Sequence, residues 1–389
     1  MASDNIVPFR VSVSDAAVAD LRDRLARTRW PDQLPDSGWD YGTDAAYLRN
    51  LCDHWATRFD WRRFEGRFNR FPQFTTEIGG QRVHFFHVRS PEPDARPLIL
   101  SHGWPGSVAE FLDVIGPLSN PAAYGGEPRD AFHVVVPSLP GFGFSGPTHE
   151  RGYDCRRIAA TFDRLMQRLG YGRYFAQGGD KGARISILLG AEFAERVAAI
   201  HLNLISAPPL DPDNPRVGLT TGELAELDRM TSFGQAEAAY QQIQRTKPQS
   251  LAYGLNDSPA GLAAWIVEKF RAWSDCGGEI ARSFDYDRLL ENISLYWLTG
   301  TIGSSMRLYY EDHGPGRGEA LPPVKVPVGH AHFPAEIYTC PRRWAEAKFN
   351  IARWTIMPRG GHFPAMEVPK LFTEDVRAFF RDYRSGTGA

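Results

Sequence analysis

Apolar positions near the start of the chain recur at helical spacing. Ala17, Leu21 and Leu25 predict a helix over residues 12–30, which Ser14 can cap and Trp30-Pro31 stops. An aromatic-rich stretch follows, from Trp39 to Phe74. Its rings are expected to pack an N-terminal segment onto a main domain, with a share in walling a substrate cavity as the sharper alternative. From residue 75 the apolar period shortens. Runs 74–78 and 81–88 flank Gly79-Gly80 and predict a hairpin. The run 97–101 (PLILS) ends at His102-Gly103, and 132–137 (FHVVVP) ends at a Gly-rich turn. Helical pattern at 155–169 precedes a strand at 174–177, and 183–190 is helical again. Short buried strands alternating with helices imply a mostly parallel central sheet with helices on both faces. Residues 210–320 break this alternation: they are mainly helical and rich in Tyr and Trp, as an inserted cap would be. Strand–helix alternation resumes at 323–329 and 354–357. The expected organisation is an N-terminal extension (1–75), a first part of an α/β core (76–209), a helical cap (210–320) and a second part of the core (321–389).

Composition changes this picture little. The chain has 389 residues, 42% hydrophobic and 23% charged, with a formal net charge of -2, so no global field favours nucleic acid or an anionic membrane. Cys52, Cys155, Cys276 and Cys340 are far apart with no C-x-x-C pair, which points to reduced thiols and against a zinc site or disulfide framework. The N-terminus has neither a basic n-region nor an apolar h-region, and no apolar run approaches membrane-spanning length. The expectation is a soluble cytoplasmic protein without membrane anchor, metal or cofactor; a homodimer is left open.

The sharpest motif is Gln177-Gly178-Gly179-Asp180-Lys181-Gly182, after a strand and before a helix. In that context G-x-S-x-G forms a nucleophile elbow, and here the central residue is Asp. On its own the motif also reads as an Asp capping a helix on a Gly-rich turn. A carboxylate nucleophile has its own logic. It is ionised at neutral pH, so attack needs no base. Alkylating it gives an ester, which water can cleave, whereas alkylating a Ser gives an ether, which water cannot readily cleave. Upstream, Ser101-His102-Gly103-Trp104-Pro105-Gly106 ends a strand where a loop supplies oxyanion-hole amides; the expected donors are the backbone N–H groups of Trp104 and Lys181. His102 is expected to orient that loop. Downstream, Gly360-Gly361-His362-Phe363 follows the last strand, where a triad His belongs, and Glu336 is the expected acid, with Asp312 as fallback.

Together these residues resemble the epoxide hydrolases of the microsomal and juvenile-hormone type, over nearly the whole chain. The likeness is carried by Leu21-x-x-Arg24-Leu25-x-x-Thr28-Arg29-Trp30-Pro31, by Phe59-Asp60-Trp61-Arg62, by His102-Gly103-Trp104-Pro105 and by Pro140-Gly141-Phe142-Gly143-Phe144-Ser145. The elbow and Gly361-His362-Phe363 add to it, as do two cap segments: Thr246-Lys247-Pro248 with Gly254 to Ala263, and Ser304-Ser305-Met306-Arg307-Leu308-Tyr309-Tyr310-Glu311. The resemblance implies the α/β-hydrolase fold and conversion of an epoxide and water to a vicinal diol through an Asp180 ester. It implies His362 as base, Glu336 as its partner, and Tyr240 and Tyr309 as the cap tyrosines that bind the epoxide oxygen, with Trp104 also contacting substrate. Phenols suit that task, since they donate to an alkoxide without being ionised at neutral pH. Tyr310 is the alternate. Aromatic residues in the cap suggest a bulky apolar or aromatic epoxide as the small-molecule substrate. One departure matters: Lys181 stands where the family usually has Trp, so an indole wall is lost and a cation is expected near the cavity mouth. A haloalkane dehalogenase-like hydrolase shares the Asp elbow, and a non-catalytic ligand binder of the same fold is the alternative from another class.

Overall fold

The computed structural model describes residues 5–314 and 321–384. A nine-stranded sheet runs in the order β1-β2-β3-β5-β4-β6-β7-β8-β9. Its strands are β1 (Val7–Phe9), β2 (Gln73–Ile78), β3 (Gln81–Val88), β4 (Arg96–Ser101), β5 (Phe132–Pro137), β6 (Tyr174–Gly178), β7 (Val197–Leu202), β8 (Val324–His332) and β9 (Phe349–Ile356). The pairs β1–β2, β2–β3 and β3–β5 are antiparallel, and every pair from β5–β4 to β8–β9 is parallel. This is the α/β-hydrolase fold. The central parallel strands β6 and β7 are buried on both faces, so they have no exposed residue and read as apolar runs instead of alternating, whereas the edge strand β9 is partly exposed.

The helices are α1 (Asp15–Ala26), α2 (Ala45–Thr57), α3 (Trp61–Asn69), α4 (Ile115–Ser119), α5 (Cys155–Arg168), α6 (Asp180–Glu192), α7 (Thr221–Ala236), α8 (Ala239–Thr246), α9 (Pro248–Asp257), α10 (Pro259–Trp273), α11 (Tyr286–Thr299), α12 (Ile302–His313), α13 (Arg342–Lys348), α14 (Pro364–Glu367) and α15 (Pro369–Phe380). Helices α7 to α12 lie between β7 and β8, so the region expected to be a cap enters the chain at one break in the sheet. Among the described residues no helix is long and apolar enough to cross a membrane.

The first helix is shorter than its periodicity predicts. Ser14 caps it as expected, accepting from the Ala17 amide at 3.2 Å. Residues 11–13 are extended because Val11 donates to Asn69 Oδ1 (2.9 Å) and the Val13 amide bonds Glu65 on α3. The aromatic stretch behind it is a packing device. Trp55, Trp61, Phe64 and Phe68 are buried, and Trp55 Nε1 donates to Ser294 Oγ on α11 at 3.0 Å. None of these rings lines the cavity described below, so the sharper alternative fails.

Candidate active site

Asp180 sits at the junction of β6 and α6 with φ 48°, in the left-handed region that L-residues rarely occupy. Glycines make that turn possible. A Cβ on Gly178 would lie 2.1 Å from the Gly182 carbonyl oxygen, and one on Gly182 would lie 1.9 Å from that of Ser101. The strained turn holds the carboxylate at the first position of α6, where the helix dipole and unsatisfied amides favour negative charge.

The loop after β4 closes on the same carboxylate. The Trp104 amide donates to Asp180 Oδ1 at 2.8 Å. This approach needs Gly103, because a Cβ there would lie 2.3 Å from Asp180 Cβ. The Lys181 amide is the second N–H of α6 and has no preceding turn to accept it. His102 braces the loop: its Nε2 accepts from the Leu139 amide (3.2 Å), and its Nδ1 lies 3.0 Å from the Gly103 carbonyl. Burial lowers its pKa to about 4, so it stays neutral.

His362 approaches from the other side. Its Nε2 lies 3.7 Å from Asp180 Oδ2, too long for a direct hydrogen bond. Its Nδ1 lies 2.7 Å from Glu336 Oε1, and both side chains are buried. Glu336 Oε1 also accepts from the amides of Ile337 (2.8 Å) and Tyr338 (3.3 Å), which fixes the carboxylate in place. Burial alone would lower the imidazole pKa, but Glu336, then Asp180 and Glu110, raise it to about 9. Trp273 at the end of α10 packs edge-on to the ring, 5.1 Å between centroids, and its carbonyl accepts from the His362 amide at 2.9 Å. The fallback acid Asp312 is engaged elsewhere, with Lys181 and Cys155.

Tyr240 on α8 and Tyr309 on α12 face Asp180 from the cap side and line a cavity of about 400 Å³ with it; Tyr310 does not line it. Trp104 stacks on Tyr240 (5.4 Å, 12° between planes) and meets Tyr309 edge-on (5.8 Å, 87°). Burial raises both phenol pKa values well above the ordinary 10, and the Asp180 charge adds to this, so both hydroxyls stay protonated. Tyr240 accepts from Gln241 Nε2 at 3.1 Å, and the Tyr240 and Tyr309 hydroxyls lie close enough to act on one another.

The expectation of Lys181 as a cation near the cavity mouth is corrected by the structure, and two further features, at Glu110 and Glu367, carried no expectation. Lys181 does not reach out as a free cation: its Nζ is buried, 3.0 Å from Asp312 Oδ2 and 4.1 Å from the Tyr309 ring centroid. Glu110, from the turn after Trp104, is buried beside Asp180 and His362. Burial pushes its carboxyl pKa up to about 8, His362 works against this and Asp180 adds to it. It lines a second, enclosed cavity of about 10 Å³ with Gly103, Asp180 and His362, room for one water-sized sphere. Glu367 accepts from the amides of Asp275 (2.7 Å) and Phe363 (2.9 Å), tying the loop after α10 to the loop of His362.

Known proteins share this arrangement of chain. The family described as "Epoxide hydrolase N terminus" matches residues 6–111, and "alpha/beta hydrolase fold" matches residues 96–243. Epoxide hydrolase 1 of Sus scrofa is 37% identical over 403 residues, covering 97% of this chain and 88% of its own. The crystal structure of juvenile hormone epoxide hydrolase from the silkworm Bombyx mori superposes with a TM-score of 0.89 at 30% identity, covering 98% of this chain and 96% of that one. Aspergillus niger epoxide hydrolase superposes with a TM-score of 0.88 at 35% identity, covering 98% and 97%.

Proposed function

The chain belongs to the epoxide hydrolase family, and from that membership we propose that it opens its epoxide with the Asp180 carboxylate and releases the diol by hydrolysing the resulting ester. The observation that carries this reading is the position of Asp180 between three groups. An amide donor holds Oδ1, a charged imidazole stands 3.7 Å from Oδ2, and two protonated phenols line the same cavity.

Asp180 attacks one oxirane carbon; its C–O bond breaks, and the leaving alkoxide takes a proton from Tyr309 or Tyr240. The ester carbonyl then faces the amides of Trp104 and Lys181. The imidazolium, no longer facing a carboxylate, gives its proton to the tyrosinate and becomes the base. Water, sited in the small cavity beside Glu110, then gives a proton to His362 Nε2 and attacks the ester carbon. The oxyanion is stabilised by the two amides, and the imidazolium by Glu336. Collapse breaks the ester C–O bond, the leaving alkoxide takes the proton from the His362 imidazolium to give the diol, and the proton left on Asp180 passes to His362, which restores the carboxylate. The rings of Tyr240, Tyr309 and Tyr338, with the Trp104 indole stacked behind Tyr240, make a wall suited to an apolar or aromatic group next to the oxirane.

Trapping the ester tests the assignment. A His362→Gln variant should consume about one epoxide per protein and stall, with an adduct of the substrate's full mass mapped to Asp180. Asp180→Asn should form none. A first-turnover diol carrying oxygen from heavy-oxygen water, with no trapped adduct, would mean direct attack by water and reject Asp180 as nucleophile.

A further inference from the structure

The cavity above Asp180 carries more positive charge than epoxide opening requires. Lys181, Arg184, Arg245 and Lys348 all line it, and Asp180 is the one carboxylate among its described lining residues. One buried acid answers part of this charge: Asp312 lies 3.0 Å from Lys181 and 4.0 Å from Arg184. The other two cations have no acidic partner among the described residues. Arg245 Nε donates to the neutral Gln242 side chain at 3.0 Å, and Lys348 Nζ lies 5.4 Å from the Phe349 ring centroid. Both are half-buried, so water screens them only in part. Neighbouring groups register the resulting field. His313, also in the wall, has its pKa lowered to about 4 by burial and then by Lys181, with Arg184 and Arg245 adding to it. The Lys348 ammonium is pushed down by burial, with Arg184 contributing.

The rest of the lining includes the apolar and aromatic Ile187, Leu204, Leu321, Tyr240, Tyr309 and Tyr338, with Ser206, Gln241 and His313 as neutral polar members. We propose that Arg245 and Lys348 form a carboxylate subsite, and that the preferred substrates are epoxides carrying a carboxylate at the far end of a short apolar chain. This rests on the reading of Asp180 as the group that opens the oxirane. A sphere of 400 Å³ is about 9 Å across, which sets oxirane and carboxylate on the order of six to eight carbons apart. The carboxylate would complete the charge balance of the mouth, while the chain and oxirane take the apolar wall and the tyrosines.

The test compares 7,8-epoxyoctanoate with 7,8-epoxyoctanamide, which differ in charge and hardly in shape. The acid should be favoured about tenfold in kcat/KM at low ionic strength, the size expected for two partly screened cations, and salt should shrink the preference. Arg245→Gln and Lys348→Gln should each lower the acid-to-amide ratio several-fold, through the KM of the acid. An amide turned over as well as the acid, or a ratio that neither substitution moves, overturns the proposal. Binding of octanoate and octanamide to Asp180→Asn protein, followed by tryptophan fluorescence, reads the subsite without turnover. Octanoate should bind about tenfold more tightly, and equal binding overturns the subsite even if epoxides are hydrolysed. A kept octanoate preference with no diol from any epoxide would count against Asp180 instead.

Discussion

The two half-reactions should differ in pH dependence, because the first one changes the charge beside His362. In the free protein Glu336 and Asp180 outweigh burial and hold the imidazole pKa at about 9. Alkylation turns the Asp180 carboxylate, 3.7 Å from Nε2, into a neutral ester. Coulomb's law at that distance gives about 4.5 kcal/mol at an effective dielectric of about 20, and about 2.2 at about 40. At about 1.36 kcal/mol per pKa unit, losing the charge lowers the pKa by about 1.6 to 3.3. The imidazole of the ester therefore titrates between roughly 6 and 7.5. Below that range it is protonated and cannot accept a proton from water, so ester hydrolysis should rise with pH and level off above it. Alkylation needs an ionised Asp180 and protonated tyrosines, and should stay flat across the same window. Trp104 and Trp273 border the site and make the reaction visible by tryptophan fluorescence after rapid mixing, with a fast change for the ester and a slow recovery for its hydrolysis. A hydrolysis rate that keeps rising to about pH 9, tracking the free protein, would refute the claim that the Asp180 charge holds the imidazole up.

Tyr309→Phe should slow ester formation by about 10²–10⁴-fold and leave hydrolysis of a preformed ester nearly unchanged, since only ring opening creates an alkoxide; an unaltered alkylation rate would move the role to another hydroxyl. Lys181→Ala should be destabilising by about 3 kcal/mol, because it leaves Asp312 buried with a poorer cation partner. A urea midpoint equal to that of the parent would contradict this. Glu110 has its carboxyl pKa raised from 4.5 to about 8 on folding, so its contribution to stability is complete below about 4.5 and is lost as pH rises through about 8. Glu110→Gln removes that slope, so the variant's Tm relative to the parent should increase between about pH 6 and 8.5; a difference independent of pH would place the folded-state pKa elsewhere.

The elbow was legible because its geometry is encoded within six consecutive residues. The glycines at 178, 179 and 182 stand where any side chain would collide with the next turn, with Asn203 or with β4, and the strand before them and helix after them have clear periods. His362 and Glu336 were reachable from chain order once the elbow was placed. Strands β1 and β7 were not. The three residues of β1 become a strand only by pairing with β2. The β7 run, VAAIHL, follows α6 after a short turn, and only its place between β6 and β8 separates it from a buried helical segment. Strand β9 begins at Phe349 and not at 354: Phe349 is buried, but Asn350 and Ala352 are exposed, so the first half of this edge strand carries a weak apolar signal.

Lys181 shows where reading along the chain stops. Its sequence context gives a cation beside Asp180 and nothing about what balances it. The balance comes from Asp312, 131 residues later on α12, which also accepts from the Cys155 amide at the start of α5 (2.8 Å). Once that pair cancels, the cavity wall still carries Arg184 beside Asp312, Arg245 on α8 and Lys348 on α13 against Asp180, and neither Arg245 nor Lys348 lies in a motif. Groups that make and break bonds need a strained turn, an amide donor or a fixed imidazole, and such local geometry constrains neighbouring residues strongly enough to read. The net charge of a cavity wall is a sum over pairings between distant elements, so substrate preference can change by substitutions that leave every motif intact. Relatives that share the elbow and the cap tyrosines can therefore share a reaction and differ in the epoxide they accept.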